Sequence, residues 1–111
     1  MVVRSKQDAL VVLVLERLEP LPIATRAMFG GRGLFLDGAF FGIVIDGTLY
    51  FRTDEESRPD YRDRGMPALQ PPKHRPRGPK TVDRNFEVPS DVLSNDGLLK
   101  QWALRAGQAK R

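Results

Sequence analysis

The sequence predicts an α+β domain built on one antiparallel sheet, and three patterns indicate it. Leu10, Val14 and Leu18 recur at the spacing of a helix near the start of the chain, and apolar residues recur in the same way near its end. Between residues 23 and 53, glycines separate short runs of aromatic and β-branched residues, as in a β-meander. The expected order is helix, three or four strands, helix, two strands, helix.

The first element is predicted as a helix over residues 5–19. Ser5 followed by Asp8 resembles a capping box with the shorter acid. The valines inside it also suit a strand, but the charged residues and prolines that follow favour a helix that is buried on much of its circumference. Its apolar run, 9–15, is too short to span a bilayer and lacks a signal-peptide cleavage site, so no membrane partner is expected.

Hairpins are expected in the meander because Asp37-Gly38 and Asp46-Gly47 lie between apolar runs, and Asp-Gly supplies the positive φ values of tight turns. The antiparallel strands are predicted at about 33–36, 39–45 and 48–53, with 24–29 as a further strand or as the first half of a bent one. The glycines at 30, 31 and 33 are interpreted as a bend or bulge in the sheet. A phosphate-binding loop is the alternative, but such a loop precedes a helix and this one precedes a strand.

Three further elements are expected after the meander. Asp54 or Ser57 is predicted to cap a short helix over 55–64, polar along most of its length and exposed as a crossover. Residues 66–72 are predicted as an edge strand and residues 81–88 as a returning strand.

The last element is predicted as a helix that docks a tryptophan into the core. It is expected to begin near Ser90, to be interrupted at Asp96-Gly97 and to fray after Gly107. The side chains along its apolar face are Leu98, Leu99, Trp102, Ala103 and Ala106.

Length and composition fit one globular domain over residues 1–111. The chain has 111 residues and a mass of 12.5 kDa, with 41% hydrophobic and 29% charged residues and a mean hydropathy of −0.37. It contains no cysteine, which excludes a disulfide, a thiolate zinc site, an iron–sulfur cluster and a cysteine nucleophile. The absence of cysteine favours a cytoplasmic protein.

The positive charge is concentrated in one proline-rich segment, 71–81. Lys73, Arg75, Arg77 and Lys80 contribute four positive charges there without an accompanying acid, so the remaining 14 basic and 14 acidic residues cancel to leave the net +4. The four prolines and the glycine of PPKHRPRGPK predict an exposed, mobile loop.

The run RAMFGGRGLFLDG at 26–38, followed by DGTLYFRTD at 46–54, resembles the N-terminal domain of the TfoX/Sxy family. The resemblance continues through 86–89 and the final helix, so it covers residues 5–107. The positions that carry it are Arg26, Met28, Phe29, Gly30, Gly31, Gly33, Gly38, Asp46, Gly47, Tyr50 and Trp102.

That resemblance implies an α-β(3)-α-β(2)-α domain around one antiparallel sheet. It also implies kinship with bacterial regulators of natural competence, in which this domain precedes a separate helical domain. We expect the present chain to be a stand-alone N-terminal domain. The family brings no established catalytic activity, and its relatives often carry a Lys/Gly-rich segment where this chain has the proline-rich one.

No catalytic set is expected. His74 is the one histidine and lies in the basic segment, without the positioned partners that a triad or a metal site requires. The carboxylates between residues 54 and 63 are interleaved with arginines at i,i+4 spacing, which is typical of a solvated face. We therefore expect neither an enzyme nor a cofactor.

Arg26 and the aromatic residues of the strands each have two interpretations. Arg26 is expected to form an ion pair with Glu87 or Asp46, and ligand binding is the alternative. The aromatic residues in question are Phe29, Phe35, Phe40, Phe41, Tyr50 and Phe51. Their alternation predicts that part of the set packs in the core, and the alternative is an exposed row that stacks single-stranded nucleic acid.

The sequence is compatible with two functions. The first is a non-catalytic regulatory or protein-interaction module, whose partner is another protein or a second copy. The alternative is a nucleic-acid-binding accessory protein that binds weakly and without sequence specificity through the basic segment. Its candidate phosphate contacts are Lys73, Arg75, Arg77, Lys80 and Arg84. A segment that only keeps the domain soluble is the competing interpretation.

Overall fold

Four helices and a five-stranded antiparallel sheet make up the fold, in a computed structural model that describes residues 6–70 and 84–109. The helices are α1 (Lys6–Arg17), α2 (Arg58–Arg62), α3 (Ser90–Leu93) and α4 (Asp96–Gly107). The strands are β1 (Ile23–Met28), β2 (Gly31–Leu36), β3 (Ala39–Ile45), β4 (Thr48–Arg52) and β5 (Asn85–Glu87), in the spatial order β1-β2-β3-β4-β5. The predicted α+β class with one antiparallel sheet is confirmed.

The four strands before α2 agree with the predicted three or four, whereas the α-β(3)-α-β(2)-α order implied by the family resemblance differs from the structure. Four strands precede α2, because 23–28 forms a strand of its own, and within the described chain one named strand follows. The predicted edge strand at 66–72 is reduced, as far as the described residues reach, to one bridge between Ala68 and Phe86. Prolines around this stretch lack the N–H groups that a longer ladder needs. The returning strand is confirmed at Asn85–Glu87, and residues 81–83 lie outside the described part.

Three tight turns connect the first four strands. Asp37-Gly38 and Asp46-Gly47 have positive φ at both residues, as predicted for hairpin turns. Phe29-Gly30 has the same conformation, with φ of 52° and 80°, so it joins β1 to β2 as a third hairpin. The predicted bend or bulge at 30–33 is therefore wrong in detail: the turn is at Phe29-Gly30, and Gly31 and Gly33 lie within β2.

The two faces of the sheet have different neighbours. On one face, the core face, α1 and α4 pack against the apolar side chains of the strands. A register shift at Leu34/Phe35 adds Phe41 to this face, where its ring lies 5.6 Å from that of Phe51. The core side chains of the strands are Leu34, Phe41, Val44, Leu49, Phe51 and Phe86.

The opposite face, called here the open face, has no helix of the described chain packed on it. Strand pairing assigns its members, because residues paired across neighbouring strands lie on the same side of the sheet. Its members include Ala24, Arg26, Met28, Gly33, Phe35, Phe40, Ile43, Thr48, Tyr50, Arg52 and Glu87.

The segment between β4 and β5 is less solvated than its sequence predicts. Asp54 accepts hydrogen bonds from the N–H groups of Glu56 and Ser57, each 3.0 Å long, and Ser57 occupies the N-cap of α2. The predicted exposed crossover over 55–64 is wrong at Tyr61, whose side chain is 1% exposed and belongs to the core. Only the polar side of this short helix faces solvent.

The final helical region is divided, as predicted, but two residues earlier in the chain. The break falls at Ser94 and Asn95 instead of Asp96-Gly97. The Asn95 side chain accepts a hydrogen bond from the Leu98 N–H at 3.1 Å and so caps α4. Asp96 and Gly97 form the first turn of α4, which ends at Gly107 as expected.

Candidate functional site

The open face carries a stacked group of side chains beside the β1–β2 hairpin. The Arg26 guanidinium lies 5.1 Å from the centre of the Phe35 ring, a cation–π arrangement. The Phe35 ring in turn meets the Phe40 ring edge-on, with 5.6 Å between centroids. This group places a positive charge and two aromatic rings on one exposed side of the sheet.

The expected ion pair of Arg26 with Glu87 or Asp46 is not formed. Arg26 lies on β1, at one edge of the sheet, whereas Glu87 lies on β5, at the other edge. Asp46 belongs to the turn between β3 and β4. The Phe35 ring, next to Arg26 on the open face, takes the place of a carboxylate partner.

The glycines of the family motif permit close packing at this hairpin. A Cβ atom at Gly33 would overlap the Met28 Sδ, so the absence of a side chain lets Met28 lie across β2. A Cβ atom at Gly31 would overlap the carbonyl oxygen of Val44 and approach the Ile45 Cβ to 2.9 Å. These two glycines therefore allow close packing. They lie in β2, and the next element is the strand β3. They do not open a helix as a phosphate-binding loop does.

Tyr50 extends the open face toward β5. It is paired with Ile43 on one side and Glu87 on the other. Burial raises the pKa of the Tyr50 phenol, and the negative charges of Glu87 and Asp46 raise it further. The phenol is consequently a neutral hydrogen-bonding group at physiological pH.

The aromatic residues of the strands divide between the two interpretations. Phe41 and Phe51 are fully buried in the core, as the first interpretation predicts. Phe35, Phe40 and Tyr50 are half-buried on the open face, where a partner can reach them. This set has one aromatic side chain on each of β2, β3 and β4.

Phe29 stands apart at the tip of the β1–β2 hairpin. Its side chain is 51% exposed and its φ is 52°, a backbone conformation that a bulky residue rarely adopts. Such strain is found preferentially where an interaction makes use of it.

Trp102, another motif position, lies on the opposite side of the molecule. Its side chain is 8% exposed, and its ring meets that of Tyr61 edge-on at 4.8 Å. Two guanidinium groups lie on the Trp102 ring, from Arg64 at 5.1 Å and from Arg105 at 4.9 Å. Arg105 also forms a salt bridge with Asp60. This cluster fastens α2 to α4.

Burial raises the pKa of the Tyr61 phenol well above its ordinary value, although the nearby Arg105 guanidinium opposes that rise. A phenol in this state is neither a base nor a nucleophile near neutral pH. Together with the surrounding salt bridge and rings, it indicates a structural role for the Trp102 cluster.

Four of the candidate phosphate contacts, Lys73, Arg75, Arg77 and Lys80, lie outside the described residues. So does the whole of the segment, 71–81, for which a mobile loop is predicted. The fifth candidate, Arg84, is described and exposed.

The attachment of the basic segment is well defined on both sides. The Arg84 carbonyl accepts hydrogen bonds from the Thr53 N–H at 2.8 Å and the Thr53 hydroxyl at 2.6 Å. The Leu69 N–H donates to the Asn85 carbonyl at 2.7 Å. The chain therefore leaves and re-enters at neighbouring points beside β5. Arg58, which donates to the Thr53 hydroxyl at 3.1 Å, adds a further positive charge there.

The described residues contain no group of three or more His, Cys, Asp or Glu side chains that could hold a metal ion. Of the carboxylates between 54 and 63, Asp60 is bound to Arg105 and Asp54 accepts hydrogen bonds from the backbone. Within 6–70 and 84–109, no helix is long and apolar enough to cross a membrane.

Comparison with known proteins gives one family. A sequence model of the TfoX N-terminal domain matches residues 15–110, which is nearly the whole chain. No curated protein matches the chain significantly. The matched region contains the hairpin, the open face and the Trp102 cluster.

Proposed function

Because the chain belongs to the TfoX N-terminal domain family, we propose that it is a non-catalytic regulatory module that docks another protein on the open face of its sheet. The observation that carries this proposal is the placement of every described helix away from that face. The motif positions Arg26, Met28 and Tyr50 lie on it. Its role resembles that of the N-terminal domain in regulators of competence, and we place it in the cytoplasm because it contains no cysteine.

The chemistry of the open face suits a protein partner. Aromatic side chains and arginine are enriched at the centres of protein interfaces, where they supply most of the binding energy. Phe35 and Phe40 offer ring surface, Arg26 offers a charge that is already stacked on a ring, and the neutral Tyr50 phenol offers a hydrogen bond. Hydrogen-bonded strands hold these groups, so little ordering of the backbone is needed on binding.

A pair of matched double variants tests this proposal. R26E/F40A reverses the charge and removes a ring on the open face. R62E/L104A makes the same kinds of change at exposed residues of α2 and α4. Each tagged protein is used to recover binding proteins from cells, and the recovered proteins are quantified by mass spectrometry. We expect proteins that bind the wild type and R62E/L104A equally and that R26E/F40A loses by tenfold or more, about 1.4 kcal/mol.

Circular dichroism of both variants controls for folding. Equal recovery by R26E/F40A and the wild type would contradict docking on the open face. Loss of the same proteins by both variants would also contradict it, because binding would then not depend specifically on the open face.

A nucleic-acid-binding accessory role is the second candidate. The observation that favours it is the closed stem of the basic segment, because Leu69 and Asn85 hold its two ends together. Lys73, Arg75, Arg77 and Lys80 lie in the sequence between these two ends, and Arg84 and Arg58 lie where the segment joins the sheet. Charges concentrated in this way bind phosphates without reading sequence.

The salt dependence of DNA binding distinguishes contacts made by the basic segment from a general effect of positive charge. We expect R75A/R77A to flatten the log–log salt slope for duplex DNA by about 1.8, since each phosphate contact contributes about 0.9. R32A/R62A removes the same charge from β2 and α2 and is expected to leave the slope unchanged. Fluorescence anisotropy of labelled duplex and single-stranded DNA measures both. Equal slopes for the wild type and R75A/R77A would exclude these contacts.

A further inference from the structure

The two edges of the sheet are protected differently. Beside β5, the Leu69 N–H donates to Asn85 and the Glu87 N–H donates to Pro67, so a neighbouring segment covers that edge. At the other edge, β1 pairs only with β2 among the described residues. An uncovered edge strand offers a row of peptide groups to another strand.

The register of the β1–β2 hairpin shows which peptide groups point outward. Met28 and Gly31 flank a two-residue turn, so they exchange hydrogen bonds with each other. Because hydrogen-bonded pairs alternate along an antiparallel ladder, Arg26 and Ala24 also direct their peptide groups toward β2. Thr25 and Ala27, which lie between them, direct theirs away from the sheet.

The β1 edge has few of the features that usually prevent pairing. Its six residues contain no proline and one charge, Arg26. The exposed Phe29 lies directly beyond its end, with the strained φ of 52° that keeps the side chain at the tip of the hairpin. An apolar side chain of this size, beside peptide groups that no other described strand pairs, points to a partner strand.

We propose that β1 pairs with β1 of a second copy of this chain, antiparallel and centred on Thr25. In this register the two Thr25 residues exchange hydrogen bonds, and the Ala27 N–H of each copy donates to the Ile23 carbonyl of the other. Beyond the strand ends, Phe29 lies opposite Leu21 of the second copy. The interface is the same on both chains, as a two-fold axis requires.

The position of Arg26 selects this register. Centring on Arg26 would set two guanidinium groups directly opposite each other and would use peptide groups that already bond β2. Centring on Thr25 sets Arg26 opposite Ala24 of the second copy, which is uncharged. Centring on Ile23 or Ala27 pairs fewer residues of the strand.

The dimer has a consequence for the open face. A two-fold axis perpendicular to the sheet keeps the open faces of both copies on the same side and joins the sheets into one. Two docking surfaces then lie side by side with Arg26 near their junction. The dimer itself does not depend on the proposed docking function, since it uses the β1 edge and not the face.

Opposite charges at position 25 test the register. T25K and T25E each set like charges against each other across the axis, which is expected to weaken dimerisation by up to about fivefold. Mixing T25K with T25E sets opposite charges there and is expected to restore the dimer. T48K, a change at a half-buried threonine of the interior strand β4, is the matched control and is expected to dimerise like the wild type.

Sedimentation equilibrium over a wide range of concentration measures each sample, with circular dichroism to verify folding. A wild-type mass that rises from 12.5 kDa toward twice that value supports the proposal. A wild type that stays monomeric overturns it. A dimer that T25K and T25E leave intact also overturns it, because the contact is then elsewhere. None of these results tests the binding of another protein to the open face. Either proposal can therefore be wrong while the other holds.

Discussion

Replacing Trp102 with alanine is expected to lower the free energy of unfolding by about 3–5 kcal/mol. The side chain is 8% exposed and packs against Tyr61, Arg64 and Arg105, so its removal leaves a cavity between α2 and α4. Two guanidinium groups also lose the ring on which they lie. A small domain has about 5–15 kcal/mol of stability in total, so this change removes a large part of it.

Leu104 provides the control for Trp102 on the same helix. It is 41% exposed, and L104A is expected to change the free energy of unfolding by about 0.5 kcal/mol or less. Urea denaturation followed by circular dichroism measures both variants. A loss for W102A as small as that for L104A would show that the cluster is not what joins α2 to α4, and would return Trp102 to the functional candidates.

Gly31→Ala is expected to cost about 1–3 kcal/mol, because its new Cβ overlaps the backbone carbonyl oxygen of Val44. Neither atom is at the end of a flexible side chain, so β2 and β3 have to separate locally. Gly33→Ala is the matched comparison in the same strand. Its Cβ overlaps the Met28 Sδ, which can move, and a smaller cost is expected.

The coupling between Gly33 and Met28 can be measured directly. In urea denaturation, G33A in an M28A background is expected to cost less than G33A alone, because the overlapping sulfur atom is absent. G31A is expected to cost the same in both backgrounds. If G31A proved as mild as G33A, close strand packing would not explain the glycines of the motif.

The hairpins show what local sequence can predict. Asp37-Gly38 and Asp46-Gly47 are found where their φ preferences place them. Phe29-Gly30 adopts the same turn, yet phenylalanine carries no preference for positive φ. Its conformation is imposed by the pairing of β1 with β2, which local preferences do not include. The same pairing creates the β1 edge.

Long-range contacts account for the other differences between the predictions from the sequence and the structure. Tyr61 is surrounded by charged residues in the sequence, so its burial follows only from the position of α2 against Trp102. From the sequence alone, a carboxylate is the expected partner of an arginine. The strand order, however, places Arg26 and Glu87 at opposite edges of the sheet. The resemblance to the family identified the motif positions. It did not divide them between the open face and the core, because that division depends on register.

Light-activated cross-linking tests the central claim, that the open face is the docking surface, most directly. A photoreactive phenylalanine is placed in cells at Phe40 on the open face or, as the control, at Leu104 on α4. We predict a defined adduct with another protein from position 40, its absence from position 104, and its loss when R26E is added. No adduct from position 40, or equal adducts from both positions, would contradict docking on the open face.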